Sequence, residues 1–204
     1  MKKIFSIFLL LTNFVLLAQQ LSQSEVEQFK AKLLAKNQTV STIEADFQQK
    51  KHLDFMSKDI KTSGKMAFLK PDKLNWQYTT PYSYRIVFQK DNITIDAQGN
   101  VSHIKADNKI FKKINHLIVG TISGSMFNEK EFNITLWKSN KKTTAKLKPK
   151  DKTLQKYINE IHLFFTDDAL VEKVKLIEPS MDYTEIVFIN IKINTKIDDK
   201  AFRI

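Results

Sequence analysis

The sequence predicts a mainly β protein with a few helices, a meandering antiparallel sheet that curls into a barrel or half-barrel. Three observations lead there. Apolar residues alternate with polar ones at a period of two through most of the chain. Short turn signals such as Asp91-Asn92, Gly99-Asn100 and Asp107-Asn108 separate the runs. A single clear helical stripe precedes them. Strands this regular, joined by short turns, form a meander that curls on itself.

The first element is the N-terminal stretch "MKKIFSIFLLLTNFVLLAQQ". A basic start at Lys2-Lys3 leads into an apolar run from Ile4 to Leu17, which Ala18 ends. This is the layout of a secretory signal peptide, and the run falls short of the ~20 residues that span a bilayer. Residues 1–18 are therefore expected to be a signal peptide cleaved near Ala18, and 19–204 a single domain of the periplasm. Gln19 occupies the place where a lipidated protein needs cysteine, and the chain has no Cys.

The helix comes next, in "LSQSEVEQFKAKLLAKNQTV". Ser22 with Glu25, or Ser24 with Glu27, offers a capping box. Val26, Phe29 and Leu33, with Leu34, form an apolar stripe at helical spacing. The strands follow. Ile43, Ala45 and Phe47 alternate with Glu44, Asp46 and Gln48. Met66 and Phe68 come next, then Leu74, Trp76 and Tyr78 between Pro71 and Pro81, then Ile86 and Phe88, then Ile93 and Ile95. Later strands are predicted at Phe132–Leu136, Ala145–Leu147, Ile158–Phe165, Leu170–Ile177 and Tyr183–Asn194. One segment departs from this period. Ile114 to Phe127 carries Leu117, Ile118, Val119, Ile122 and Met126 together with Gly120 and Gly124. It reads as a short helix or flap against the sheet, or equally as a buried connecting helix.

Composition narrows the function. The 204 residues carry a formal charge of +11, with Lys+Arg 33 against Asp+Glu 22. Arg85 and Arg203 are the only arginines. Lysine is a hydrated point charge, and bidentate phosphate recognition favours arginine, so the surface suits solubility and anionic surfaces rather than nucleic acid. The densest run, Lys138 to Lys152, reads as a solvated hairpin face. His52, His103, His116 and His162 are scattered without metal-ligand spacing. No nucleophile elbow or phosphate loop is present, and no cofactor is implied. The surplus lies in large apolar side chains on strands, which either fill a half-barrel or line a ligand cavity.

Particular residues sharpen this. "STIEADFQQK" after an amphipathic helix, with Phe47-Gln48-Gln49, Gly64 ahead of Met66 and Phe68, and above all "KPDKLNWQYTTP", resembles the periplasmic outer-membrane lipoprotein carrier family, LolA. The last motif fits through Lys70, Pro71, Leu74, Trp76, Tyr78 and Pro81. The resemblance runs from about Ser22 to Phe202. It implies an incomplete, half-open antiparallel β-barrel covered by an α-helical lid. It implies a non-enzymatic monomeric carrier that takes acylated lipoproteins, or other amphiphilic lipids, from an inner-membrane lipoprotein-releasing transporter. Delivery is to an outer-membrane receptor or membrane. It implies an acyl-chain cavity lined by Phe47, Met66, Phe68, Leu74, Trp76, Tyr78 and Phe88. The implied lid is Phe29, Leu33, Leu117, Ile118 and Ile122. The implied lid latch is Lys70, at a position where the family usually has arginine. Two other readings stand beside it. One keeps the fold and changes the cargo to a glycolipid or lipid-linked pigment precursor. The other is a cavity-free domain that binds an envelope protein or an anionic surface.

Overall fold

In the computed structural model, residues 19–89, 92–105, 127–139 and 142–204 are described. The expected leader and the lid positions Leu117, Ile118 and Ile122 lie outside them. The order is β1 (Gln19–Gln20), α1 (Gln23–Thr39), β2 (Thr42–His52), β3 (Ile60–Leu69), β4 (Lys73–Thr80), β5 (Tyr84–Gln89) and β6 (Asn92–Ala97). Then come β7 (Asn100–Lys105), β8 (Phe132–Ser139), β9 (Lys142–Pro149), β10 (Glu160–Phe165), β11 (Val171–Ile177) and β12 (Tyr183–Ile193). These twelve strands form one antiparallel sheet, ordered β1-β8-β9-β10-β11-β12-β2-β3-β4-β5-β6-β7. The sheet curls but does not close, because β1 and β7 remain its two edges. Among the described residues, α1 is the one α-helix.

The period of two sorts the side chains. On β2 the inward residues Ile43, Ala45 and Phe47 are buried, and Gln48 is exposed. Leu136, Ala145, Leu147, Ile161, Leu163 and Val174 continue the buried face across the other half of the sheet. Two irregularities tighten the curl, since an extra residue bends and twists a strand. One is the register shift between Ser63 and Gly64 against β4. The other lies between Ile189 and Lys192 of β12, where Asn190 adopts φ 55° and its side-chain amide donates to Asp46 at 2.8 Å.

Helix α1 begins as the sequence predicts. Ser22 is its N-cap, and the reciprocal bonds with Glu25 complete a capping box. Leu33 is buried and Val26 and Phe29 are half-buried against the core, but Leu34 is 61% exposed. The predicted stripe was one residue too wide: Leu34 follows Leu33 by 100° and so turns off the buried face.

The two prolines of the motif lie outside β4 rather than in it. Pro71 is in the β3–β4 turn and Pro81 just beyond the end of β4; both follow cis peptide bonds. Strand β4 pairs on both sides, with β3 and β5, so every ladder N–H between them is needed and proline is confined to the flanks.

A second, smaller core was not foreseen. The chain after β12 returns across the outer face of β3–β5, and Phe202 packs with Ala67 and Val87. Arg85 donates to the Ala201 carbonyl at 2.7 Å, and Lys73 pairs with Asp199 at 2.6 Å. Val87 and Ala67 sit out of phase with the inward residues of their strands. That was the available sign of a covered outer face.

Candidate functional site

The seven residues expected to line a cavity fall on three adjacent rows across the inner face. The register places Ile43, Phe68, Leu74, Phe88 and Ile93 side by side. The next row is Ala45, Met66, Trp76 and Ile86. The third is Phe188, Phe47, Gly64 and Tyr78. The strand registers bring together residues from six strands that are up to 145 positions apart (Phe188 minus Ile43).

The third row is built around a glycine. Gly64 lies within β3, not ahead of it as the motif suggested. A Cβ there would stand 2.6 Å from Phe47 Cζ and 1.9 Å from the Gln77 carbonyl oxygen. The missing side chain lets the Phe47 ring lie across the strand. Phe47 then stacks on Trp76 with centroids 4.2 Å apart and meets Tyr78 edge-on at 5.3 Å. Phe188 closes on Trp76 from the other side at 6.1 Å. Such pairs add roughly 0.5–1.5 kcal/mol each beyond area burial. Burial pushes the Tyr78 hydroxyl's pKa up, and it donates to Gln49 Oε1 at 3.1 Å. Gln49 thus serves as the polar stop of the aromatic row, a role its place on the alternating strand did not announce.

Helix α1 packs on the same core at its other half. Phe29 meets Phe165 edge-on at 5.0 Å and Phe127 at 6.1 Å. Polar ties hold the helix from three directions. Lys30 pairs with Glu129 at 2.5 Å, Lys32 donates to the Asp167 carbonyl, and Lys70 donates to the Asn37 carbonyl in the last turn. The Lys70 backbone N–H also donates to Ser41 O at 2.9 Å. Lys70 therefore reaches the C-terminal end of the helix, where carbonyls lack intrahelical partners and a cation is favoured. An ammonium makes this contact with single bonds, not the planar fork of a guanidinium. Replacing Lys70 with Met is expected to leave the Asn37 carbonyl without this partner. The loss should be about 1–2 kcal/mol of helix docking, seen as faster amide exchange in residues 34–39 than in β2.

Among the described residues the inner face is closely packed. An apolar pocket lined by Ile43, Ala45, Met66, Leu170, Val171, Phe188 and Ile191 measures about 20 Å³. That is room for about one water molecule. Phe68 and Leu74 are fully buried and Phe47 nearly so. An acyl chain does not fit this pocket unless the side chains around it give way. The groove on the sheet with the larger volume, about 430 Å³, is polar, bounded by Gln48, Lys50, Lys61, Ser63 and Glu185.

Among the described residues, a curled, unclosed antiparallel sheet with an aromatic inner face and one helix packed on its core defines the fold class. The profile of the outer membrane lipoprotein carrier protein LolA family matches residues 38–204, and the chain belongs to that family. Similar solved structures are these. A Vibrio parahaemolyticus domain named for outer membrane lipoprotein sorting superposes with TM-score 0.51 at 9% identity, over 86% of this chain and 95% of that one. A LolA superfamily protein from Nitrosomonas europaea gives 0.46 at 7%, over 85% and 96%. The Mycobacterium tuberculosis lipoprotein LppX gives 0.45 at 10%, over 87% and 99%. A search of curated proteins finds no match.

Proposed function

We propose that this protein is a periplasmic carrier that shields the acyl chains of lipoproteins against its inner aromatic face and moves them from inner to outer membrane. The observation that carries this reading is the nature of the cover. Among the described residues, the element packed on the sheet's inner core is a helix held through side chains, not a further strand held through a backbone ladder. A helix can leave without breaking its own hydrogen bonds, whereas a strand cannot.

The energies support exchange. An acyl chain of ~14 methylenes is worth on the order of 11 kcal/mol when buried. Val26, Phe29 and Leu33, the first two half-buried, together contribute on the order of 3–6 kcal/mol where α1 packs on the core. The two are of similar order, so cargo can displace the helix and the helix can help expel cargo. A carrier needs that near balance, because one that holds too tightly cannot unload.

Cutting Phe29 to Ala should shift the balance. It removes the ring that α1 lays against Phe165 and Phe127, about 2–4 kcal/mol for a half-buried side chain. The expected result is more binding of a hydrophobic dye and faster amide exchange in Gln23–Thr39, with the sheet still protected.

The primary experiment is native mass spectrometry of protein gently extracted from the envelope of an expressing host. An acylated protein or lipid adduct is expected, as is release of lipoproteins from inner-membrane spheroplasts. Bound glycolipid without lipoprotein release would move the cargo to another amphiphile. The close packing of the described inner face favours a second reading, a binding domain that never opens. Empty protein whose helix α1 exchanges as slowly as β2 and β3 would establish that reading and overturn the carrier.

A further inference from the structure

The strand directions divide the sheet into two ends, and exposed apolar side chains gather at one of them. The β2–β3, β4–β5, β6–β7 and β11–β12 turns and the β9–β10 connection all lie at this end, because the strands alternate. Phe55 is 82% exposed on the first of these turns and Met181 66% on the β11–β12 turn. Met56, Ile60, Tyr82, Val101 and Tyr157 are exposed on the same rim. Among the described residues, the exposed large hydrophobics away from it are Leu34, Ile189 and Ile204. Phe55 and Met181 are also held in place together: the Asp54 N–H donates to Asp182 Oδ1 at 2.8 Å, joining their two turns.

Charge at the rim has a matching asymmetry. Lys58, Lys61, Lys150, Lys152 and Lys156 stand exposed among these turns, with Asp54 and Asp151. Neighbouring acids are engaged within the fold. Asp59 binds His52 at 2.8 Å, Glu178 pairs with Lys51 at 3.6 Å, Asp182 accepts from Asp54, and Asp96 accepts from the Gly99 N–H.

We propose that this rim docks onto an anionic lipid bilayer, with Phe55 and Met181 entering the headgroup–acyl boundary and the lysines meeting lipid phosphates. Four features favour a bilayer over a folded partner. The apolar groups are single side chains on separate turn tips, which a fluid interface accommodates and a rigid complementary surface does not. Tyrosines flank them, and amphipathic rings favour the headgroup level. Lysine stems extend along the interface while their charges reach phosphate. Juxtaposed basic residues add attraction to an anionic leaflet. The proposal concerns membrane contact and holds whatever the cargo is.

The test is flotation of purified chain lacking residues 1–18, the expected leader, with cargo-free vesicles of phosphatidylethanolamine and phosphatidylglycerol. The chain should float with the vesicles at low salt. The double variant Phe55→Ser, Met181→Ser should lose about tenfold or more of its vesicle affinity, with an unchanged melting temperature since both side chains are exposed. Leu34→Ser, exposed but off the rim, should bind as the parent does. In the Phe55→Trp variant, fluorescence should shift to the blue and be quenched by brominated lipid. The proposal is overturned if the parent fails to float, or if the double variant binds equally well. It is overturned too if the tryptophan is unquenched, or if Phe55 instead supports a dimer seen by sedimentation in the absence of vesicles.

Discussion

Gly64→Ala is expected to destabilise the protein by about 3 kcal/mol or more, enough to remove a large part of a typical domain's stability. Overpacking normally costs less, because a neighbour can shift. Here the closest atom is backbone, the Gln77 carbonyl oxygen at 1.9 Å, and the second is the Phe47 ring, which is pinned between Trp76 and Tyr78. Relief requires β4 to move away from β3 at their bulge, breaking ladder bonds. Urea denaturation of the parent and variant would measure this. A loss under 1 kcal/mol would show that the Phe47 ring is not wedged over Gly64 as described.

Leu74→Glu is expected to prevent folding altogether near neutral pH. A carboxylate suggests itself at this position as a probe of cargo contact. The structure changes what it tests, because Leu74 is fully buried between Phe68 and Phe88. An unpaired charge there costs several kcal/mol, and the group escapes only by protonating. Its pKa in any folded state would be raised above the unfolded value. A group of that kind is tolerated below the unfolded pKa and becomes progressively destabilising as pH rises through and beyond it. The variant should therefore be less unstable at pH 4 than at pH 8, relative to the parent at each pH. Equal loss at both pH values, or a stable fold at pH 8, would mean that the site is wetter than its burial states. For function, the half-buried Phe29 on the helix is the cleaner probe, since its truncation leaves the sheet intact.

Much of the half-barrel could be read directly. Strand pairing registers a period of two on both partners, so Ile43, Phe68, Leu74 and Phe88 had to share a face once their strands were neighbours. The capping box at Ser22 and Glu25 is a local matter of four residues and was legible as such. Leu34 was not: one residue of helical phase separates a core position from a solvent position, and a short apolar doublet does not state which member faces in. The outer-face core of Ala67, Val87 and Phe202 was missed because it depends on where the C-terminal segment travels. Gln49 was missed because its role is to accept from a hydroxyl 29 residues away.

Local pattern determined which residues point inward, where the helix starts, and that prolines flank β4 but do not enter it, because these depend on steric and hydrogen-bond rules acting within a few residues. Family membership is likewise carried by the motif around Trp76 and by the match over residues 38–204. Only the tertiary structure decided how the inner face is packed. Alternation gives the identical sequence signature for a lined hollow and a packed core. Among the described residues the packing is set by α1 and by the strand irregularities, which bend the sheet and bring Phe29 and Leu33 onto its core. The apolar pocket beside Met66 and Phe188 measures about 20 Å³, so an acyl chain enters there only if it is opened, and the helix packed on the same core is held by Lys30, Lys32 and Lys70.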